Sequence, residues 1–400
     1  MVFIVAGLLA ACDTGLVAPD NLLDPVAIRS YDDEDVVVLA DATPGDGVVW
    51  LTYLTNDNYY HFKLIDNEGN EIWTVHTDMQ YLSNIRSAYV QKVIFEEDGL
   101  VTVFFNNGRF RYNLSGEEVL REEEFFQLPY TIVDVRNIIV GAQGGYVLIG
   151  AVSIAGMRAL AVGFDREGNE LFTRIFSVTA NGRHAYTGAQ VLEDGTCLLA
   201  GSYTSPVAAL MNAFFVTRIA PDGAELFTQV HSTTEFHGAP ANTWYPGRDL
   251  IKTGHDNYLF AIDGWGSKPF QRLVQFDAMG NETADQQVIE FRSETRSYGL
   301  PPFIGSVIAG RPDGSIVGVL NSNQWFLPGA QGIATAPYMP PHYANLYQFS
   351  LSDHTLNAAD FNRLYSNYLS AAVRLSNGNV MIAGTILSLG ADMKIIIAIL

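Results

Sequence analysis

Short apolar runs alternate with polar, glycine-centred turns along nearly the whole chain. The clearest instance is Ala161-Val162-Gly163-Phe164, then Asp165-Arg166-Glu167-Gly168-Asn169, then Glu170-Leu171-Phe172-Thr173. This pattern predicts a strand, a tight turn and a second strand. Similar turns sit at Asp66-Asn67-Glu68-Gly69-Asn70, Leu114-Ser115-Gly116-Glu117, Ala220-Pro221-Asp222-Gly223-Ala224 and Asp277-Ala278-Met279-Gly280-Asn281, with a degenerate copy at Ser350-Leu351-Ser352-Asp353-His354. A second series of turns lies between these, at Pro44-Gly45-Asp46-Gly47, Glu97-Asp98-Gly99, Gln143-Gly144-Gly145, Glu193-Asp194-Gly195, His255-Asp256-Asn257, Pro312-Asp313-Gly314 and Ser376-Asn377-Gly378. Glycine after Asp or Asn supplies the positive φ that tight hairpins need.

The two series define one unit: strand a, glycine turn, strand b, variable loop, strand c, Gly-Asn turn, strand d. In the third unit the apolar runs predict strands at Ile138 to Ala142, Tyr146 to Ala151, Ala159 to Phe164 and Glu170 to Phe176. Units recur at roughly 50-residue intervals, the spacing of four-stranded propeller blades. The a–b hairpin occurs seven times and the c–d hairpin six. The sequence ends on a strand c, Lys394 to Leu400, while Val26-Ala27-Ile28-Arg29 stands ahead of the first strand a as an orphan strand d. The expectation is an all-β propeller of seven four-stranded blades over residues 26–400, its ring closed by the N-terminal strand pairing with the C-terminal one. Such closure leaves only short, protected edges.

Composition narrows the class. Of 400 residues, 48% are hydrophobic and 16% charged, enough apolar material for a large core. A net charge of −20 argues against nucleic acid as a partner, because phosphate binding wants Lys and Arg. The chain opens with an apolar stretch, Val2 to Ala11, too short to span a bilayer as a helix and of the length of a secretory h-region. Leu9-Ala10-Ala11-Cys12 resembles the lipobox of bacterial lipoproteins, which implies a signal peptide over 1–11, an acylated Cys12, and a tether over 12–25 that holds the domain to a lipid bilayer in the cell envelope. No Lys or Arg precedes the apolar stretch, and an ordinary signal peptide with a chance cysteine is the alternative. The other cysteine, Cys197, sits in an apolar run and is expected to be a buried, inert thiol.

The glycine turn, an apolar strand ending in Ala-Gly or Ile-Gly, and an Asp-x-x-Gly-Asn turn before Trp or Phe resemble the tandem propeller repeats of secreted and lipoprotein-type bacterial proteins. Gly145 to Gly150, Cys197 to Ser202 and the pairs Ile72-Trp73, Leu171-Phe172 and Leu226-Phe227 carry the resemblance. It covers Asp35 to the C-terminus and implies a propeller with a binding or scaffolding role. Related pyrroloquinoline-quinone propellers keep a Trp in every blade at this place. Only Trp73 does so here, so no cofactor is expected.

Candidate chemistry gathers at the other end of the units. The short a–b and c–d turns share one face of a propeller, and the long b–c and d–a connections share the opposite one, where loops on a rigid scaffold carry ligand sites. These segments hold Trp244, Trp265, Trp325 and His342. Around the entry to strand a, Arg is followed closely by Tyr: Arg86 with Tyr89, Arg183 with His184 and Tyr186, Arg296 with Tyr298, and Arg363 with Tyr365; Arg248 follows Trp244. Such a ring would take a carboxylate, a sulfated or uronic sugar, or an acidic peptide through the planar guanidinium fork. Equally, each Arg could cap carbonyls or pair with a nearby acid. The chain has no Gly-x-Ser-x-Gly elbow, no His-Glu-x-x-His and no Walker loop, and no metal site or catalytic residue is assigned. The first expectation is a protein- or glycan-binding propeller. Alternatives are a lyase or hydrolase acting on acidic polysaccharide, with His184 or Tyr186 moving protons, and a purely structural envelope protein.

Overall fold

The computed structural model describes residues 27–31, 36–42, 48–54, 59–80, 90–96, 98–105, 108–126, 132–141, 144–154, 156–177, 182–204, 212–232, 243–253, 256–265, 269–283, 287–290, 306–321, 344–350, 356–361, 366–387 and 393–400. The expected signal peptide, Cys12 and the whole of the expected tether lie outside them. The described residues form seven antiparallel sheets of four strands each. The first runs from Val36–Ala42 through Val48–Leu54 and Tyr59–Asp66 to Glu71–Gln80. The next five begin on Val90–Phe95, Ile132–Val140, Arg183–Val191, Thr243–Lys252 and Ser306–Gly310 and repeat the same up-and-down order. The seventh takes Ser366–Arg374, Val380–Leu387 and Met393–Ile399 from the end of the sequence and adds Ala27–Tyr31 as its fourth strand, with Ala27 opposite Ile399 and Tyr31 opposite Ile395. First strands of successive sheets lie side by side, and that of the seventh lies against that of the first. This circuit puts the first strands nearest the axis of a propeller.

The core sits between sheets. Trp50, Phe62 and Leu64 of the first sheet pack on Val93, Val103, Phe110 and Tyr112 of the second. Phe172 of the third packs with Tyr186, Leu199 and Phe215 of the fourth. Val49, Leu51 and Ile65 of the first join Met381, Ala383, Ile397 and Ile399 of the seventh, so the seam is packed like any other boundary. Each large aliphatic or aromatic side chain withdrawn from water this way contributes about 1.5–3 kcal/mol.

The c–d turns have the predicted conformation, and they do more than reverse the chain. Gly69, Gly116, Gly168, Gly223 and Gly280 all have φ between 76° and 86°. In the third sheet, Asp165 Oδ1 accepts from the backbone N–H of Glu167 and of Asn169, and its Oδ2 accepts from the Asn169 side chain at 2.8 Å. The same net recurs at Asp66 and Asp277. Four of these turns are also gripped by the sheet before, three from its strand d and one, through Arg109, from its strand c. Trp73 Nε1 donates to the Leu114 carbonyl at 2.8 Å, Arg109 Nη1 to that of Arg166, Arg174 Nε to that of Gly223, and Gln229 Nε2 to that of Met279. A Cβ on Gly223 would lie 2.4 Å from the Phe172 ring; one on Gly280 would lie 2.8 Å from Phe227; one on Gly116 would lie 3.2 Å from Trp73. The glycine of one sheet is therefore the seat for the aromatic residue of its neighbour. The post-turn pair divides accordingly: Phe172 is 7% exposed and Leu171 60%.

First strands are longer than their apolar runs. The third sheet starts at Ile132, six residues ahead of the expected Ile138, and the fourth starts at Arg183. The cause is a bulge. Register shifts interrupt the first strand at Val37/Leu39, Val90/Lys92, Val135/Asn137, Tyr186/Gly188, Pro246/Leu250 and Leu369/Ala371. A bulge adds a residue to one strand and bends it. Pairing continues on the far side into mixed sequence, in the third sheet Ile132-Val133-Asp134-Val135-Arg136-Asn137, where polar residues interrupt the apolar run.

Candidate functional site

The segment ahead of the bulge is where the expected Arg/Tyr recurrence falls. Arg183, His184 and Tyr186 lie within the first strand of the fourth sheet, not in a loop before it, because that strand pairs through to Arg183 opposite Thr204 and His184 opposite Tyr203. Arg183 is exposed. His184 is wholly buried: its ring stacks on Tyr203 at 4.8 Å with planes 20° apart, and its Nδ1 lies 3.3 Å from the Met157 carbonyl. Burial holds the imidazole below its ordinary pKa; hydrogen bonds to the Met157 and Gly182 backbone oppose this, and the Arg158 charge adds to it. His184 is therefore neutral at pH 7. Gly182 fits closely over the pair, for a Cβ there would lie 2.1 Å from the Tyr203 ring and 2.9 Å from His184 Cε1.

Tyr186 shares Phe215 with His184, the ring centroids lying 5.3 and 6.3 Å from it. Tyr186 is 2% exposed, its hydroxyl donates to Thr217 Oγ1 at 3.0 Å, and Thr217 in turn meets Thr228 Oγ1 at 3.0 Å. Burial raises its phenol far above the ordinary range. Its ring packs among Phe176 and Phe215, so this phenol belongs to the core between the third and fourth sheets. Two residues not singled out from the sequence join the cluster: Arg158, 9% exposed at the start of the strand Met157–Phe164, and Tyr203, near the end of Cys197–Thr204. Neither has an Arg-Tyr signature, since each arrives across strands. What could have flagged Arg158 is a charge set between Met157 and the apolar run Ala159 to Gly163.

In the fifth sheet, Trp244 and Arg248 lie on Thr243–Lys252, and Trp265 ends the strand Asn257–Trp265. Trp265 stands opposite Thr243, and Trp244 opposite Gly264, at the same end of the ring as Arg183. The first strands of the fourth and fifth sheets are neighbours. Backbone topology thus brings Trp244, Trp265 and Arg183 to one end of adjacent blades. Arg86, Tyr89, Arg296, Tyr298, Trp325, His342 and Arg363 lie outside the described residues.

The remaining chemistry is structural. Cys197 is buried, and burial reinforced by Asp194 pushes its thiol up to about 11, which keeps it protonated and unreactive at neutral pH. His231 bridges sheets: its Nδ1 is 3.0 Å from Glu282 Oε1, its Nε2 3.2 Å from the Gly280 carbonyl, and its ring lies parallel to Phe214. Arg111 and Arg218 pair with Asp98 and Asp194 of their own a–b turns.

Neither a family profile nor a curated protein matches the sequence. Solved structures do match the fold. An ulvan lyase, from a new family of polysaccharide lyases, superposes with a TM-score of 0.54 at 10% identity, over 92% of this chain and 95% of that one. Drosophila Semaphorin 1a, extracellular domains 1–2, gives 0.52 at 7% identity over 94% and 88%. Drosophila Plexin A, solved in complex with Semaphorin 1b, gives 0.50 at 10% over 94% and 87%. At these identities the likeness is one of architecture: the chain has a β-propeller fold.

Proposed function

We propose that this propeller is a binding module, tethered to a membrane through Cys12, that holds an anionic glycan or an acidic protein segment at the end of the ring where the first strands begin. The carrying observation is Arg183, an exposed guanidinium ahead of a bulge on an innermost strand, next in sequence to His184, on which the buried Arg158 acts, and at the same end as Trp244 and Trp265. Guanidinium groups recognise carboxylates and sulfates in two-pronged fashion, and indole faces suit sugar rings. Binding is favoured over a lyase or hydrolase reaction because His184 and Tyr186, the proton carriers such a reaction would use here, are sealed from solvent. A general acid or base must reach the proton it moves.

The test is retention of the protein on an array of sulfated and uronic glycans and acidic peptides, with Arg183→Ala and Arg183→Lys alongside the parent. At least a tenfold loss for Arg183→Ala is expected, with partial recovery in Arg183→Lys and thermal midpoints unchanged, since the side chain is exposed. Equal retention by all three proteins would refute the reading. Depolymerisation of any retained glycan would replace binding with catalysis.

A further inference from the structure

Two histidines face each other on the outer half of the first sheet. His61 lies on Tyr59–Asp66 and His76 on Glu71–Gln80, directly opposed across the antiparallel pair. Their Nδ1 atoms are 3.0 Å apart, and the rings meet edge to face with planes 89° apart and centroids at 4.4 Å. His76 is exposed and His61 half-buried, so the gap between the nitrogens opens to solvent at the rim of the ring. The strands fix this approach, because directly opposed side chains in an antiparallel pair are held close.

The spacing has a coordination meaning. A metal at roughly 2.0–2.1 Å from both nitrogens would see them at an angle of about 90°. That is the cis angle of a tetragonal ion; a tetrahedral ion would need the nitrogens to spread by about 0.3 Å. Imidazole nitrogens suit the later first-row divalent ions, and affinity for such ligands peaks at copper. Among the described residues no third histidine, cysteine or carboxylate completes a cluster. Two protein ligands with the other positions held by water make an open, exchangeable site. The chain as a whole is strongly acidic, which favours a cation, while the nearby Glu71 is paired with Lys63.

We propose that His61 and His76 form a surface site for one divalent transition-metal ion of tetragonal preference, Cu(II) ahead of Ni(II) and Zn(II), held through both Nδ1 atoms in cis. The neutral pair shares one proton between the two Nδ1 atoms; binding moves that proton to Nε2 and puts the metal in its place. Nothing in this site depends on Arg183 or its ligand.

The experiment is titration of the full chain with CuSO4, NiCl2 and ZnCl2 at pH 7.4 by calorimetry, with electron paramagnetic resonance of the copper form. His61→Gln, His76→Gln and the double variant are measured beside it, each first checked for an unchanged thermal midpoint. One Cu(II) per chain is expected, with hyperfine structure from two imidazole nitrogens. Each single substitution should weaken affinity at least tenfold, and the double variant should bind no more tightly than either. Absence of saturable copper uptake overturns the proposal. So does uptake undiminished in the double variant, which would assign it to other histidines among the eight in the chain. Tighter binding of Zn(II) than Cu(II) overturns the cis geometry.

Discussion

Glycine carries two different duties in this chain, and only one is visible from the sequence. Gly99 and Gly223 both have φ near +80°, but a Cβ at Gly99 would meet nothing within 4 Å while one at Gly223 would strike Phe172. Gly99→Ala should cost about 1 kcal/mol, the penalty of the left-handed conformation alone. Gly223→Ala adds overpacking and should cost about 2–4 kcal/mol. Urea melts of the two variants check the contrast, and equal losses would mean that the contact with Phe172 yields freely. The Asx turns make a second residue-level prediction. Hydrogen bonds from Asn169 hold the Asp165 carboxyl below its ordinary range; at Asp66 and Asp277 burial opposes, and the bonds from Asn70 and Asn281 outweigh it. A folded pKa below the unfolded one means stability fully present above about pH 4 and lost as pH falls further. Asn113 already occupies the equivalent place in the second sheet, where its Oδ1 accepts from Ser115 and Glu117 N–H. Asp277→Asn should therefore keep neutral-pH stability and flatten the acid limb of a midpoint-versus-pH curve. A steeper limb would contradict the assignment.

Each strand was legible from sequence as far as its period-two apolar pattern ran. Strand d of the third sheet, Glu170–Phe176, lies where its pattern put it, and Met157–Phe164 begins two residues before its pattern does. The first strand of the third sheet extends beyond its apolar run because Asp134, Arg136 and Asn137 interrupt the segment around the bulge, where the register shifts. The candidate site sits ahead of the equivalent bulge in the fourth sheet. Recurrence of Arg and Tyr pointed to Arg183 and His184, but it could not separate Tyr186, three residues from Arg183, which the strand turns into the core. Arg158 and Tyr203 come from other strands, and no local spacing encodes such proximity. The grip of one sheet on the next sheet's turn was hidden for the same reason: Trp73 and Leu114 share no local pattern. Trp73→Phe keeps the ring and deletes the bond to the Leu114 carbonyl. It should cost about 1–2 kcal/mol, including some lost volume, and an unchanged urea midpoint would show that the bond adds nothing net.

At the scale of the whole molecule, the sheets are linked as a chain of nearest neighbours whose last member meets its first. In an open repeat array, the terminal units have one neighbour and fray first. Here every sheet has two, and loss of one opens a boundary on either side. Deleting Ile395 to Leu400 removes Ile397, Ile399 and Leu400 from the core. At about 2–5 kcal/mol for each buried aliphatic group, that loss is comparable to the whole 5–15 kcal/mol of an ordinary fold. The truncated chain should lose the cooperative thermal transition. In the parent, melts followed by tryptophan fluorescence and by far-ultraviolet circular dichroism should coincide. A truncated protein that kept the parent midpoint would show that the seam is dispensable.

The seam also sets a schedule. Among the described strands, Ala27–Tyr31 precedes all the others in sequence, yet it pairs with Met393–Ile399, which follows them all. During translation, therefore, the earlier strand waits for the later one while sheet after sheet can form between them. Pairings so distant in sequence are slow to form and leave edges open to other chains meanwhile. A stalled or shortened product would carry two sticky ends, one at each side of the gap. A product that stops short of Met393–Ile399 should therefore aggregate where the closed ring does not.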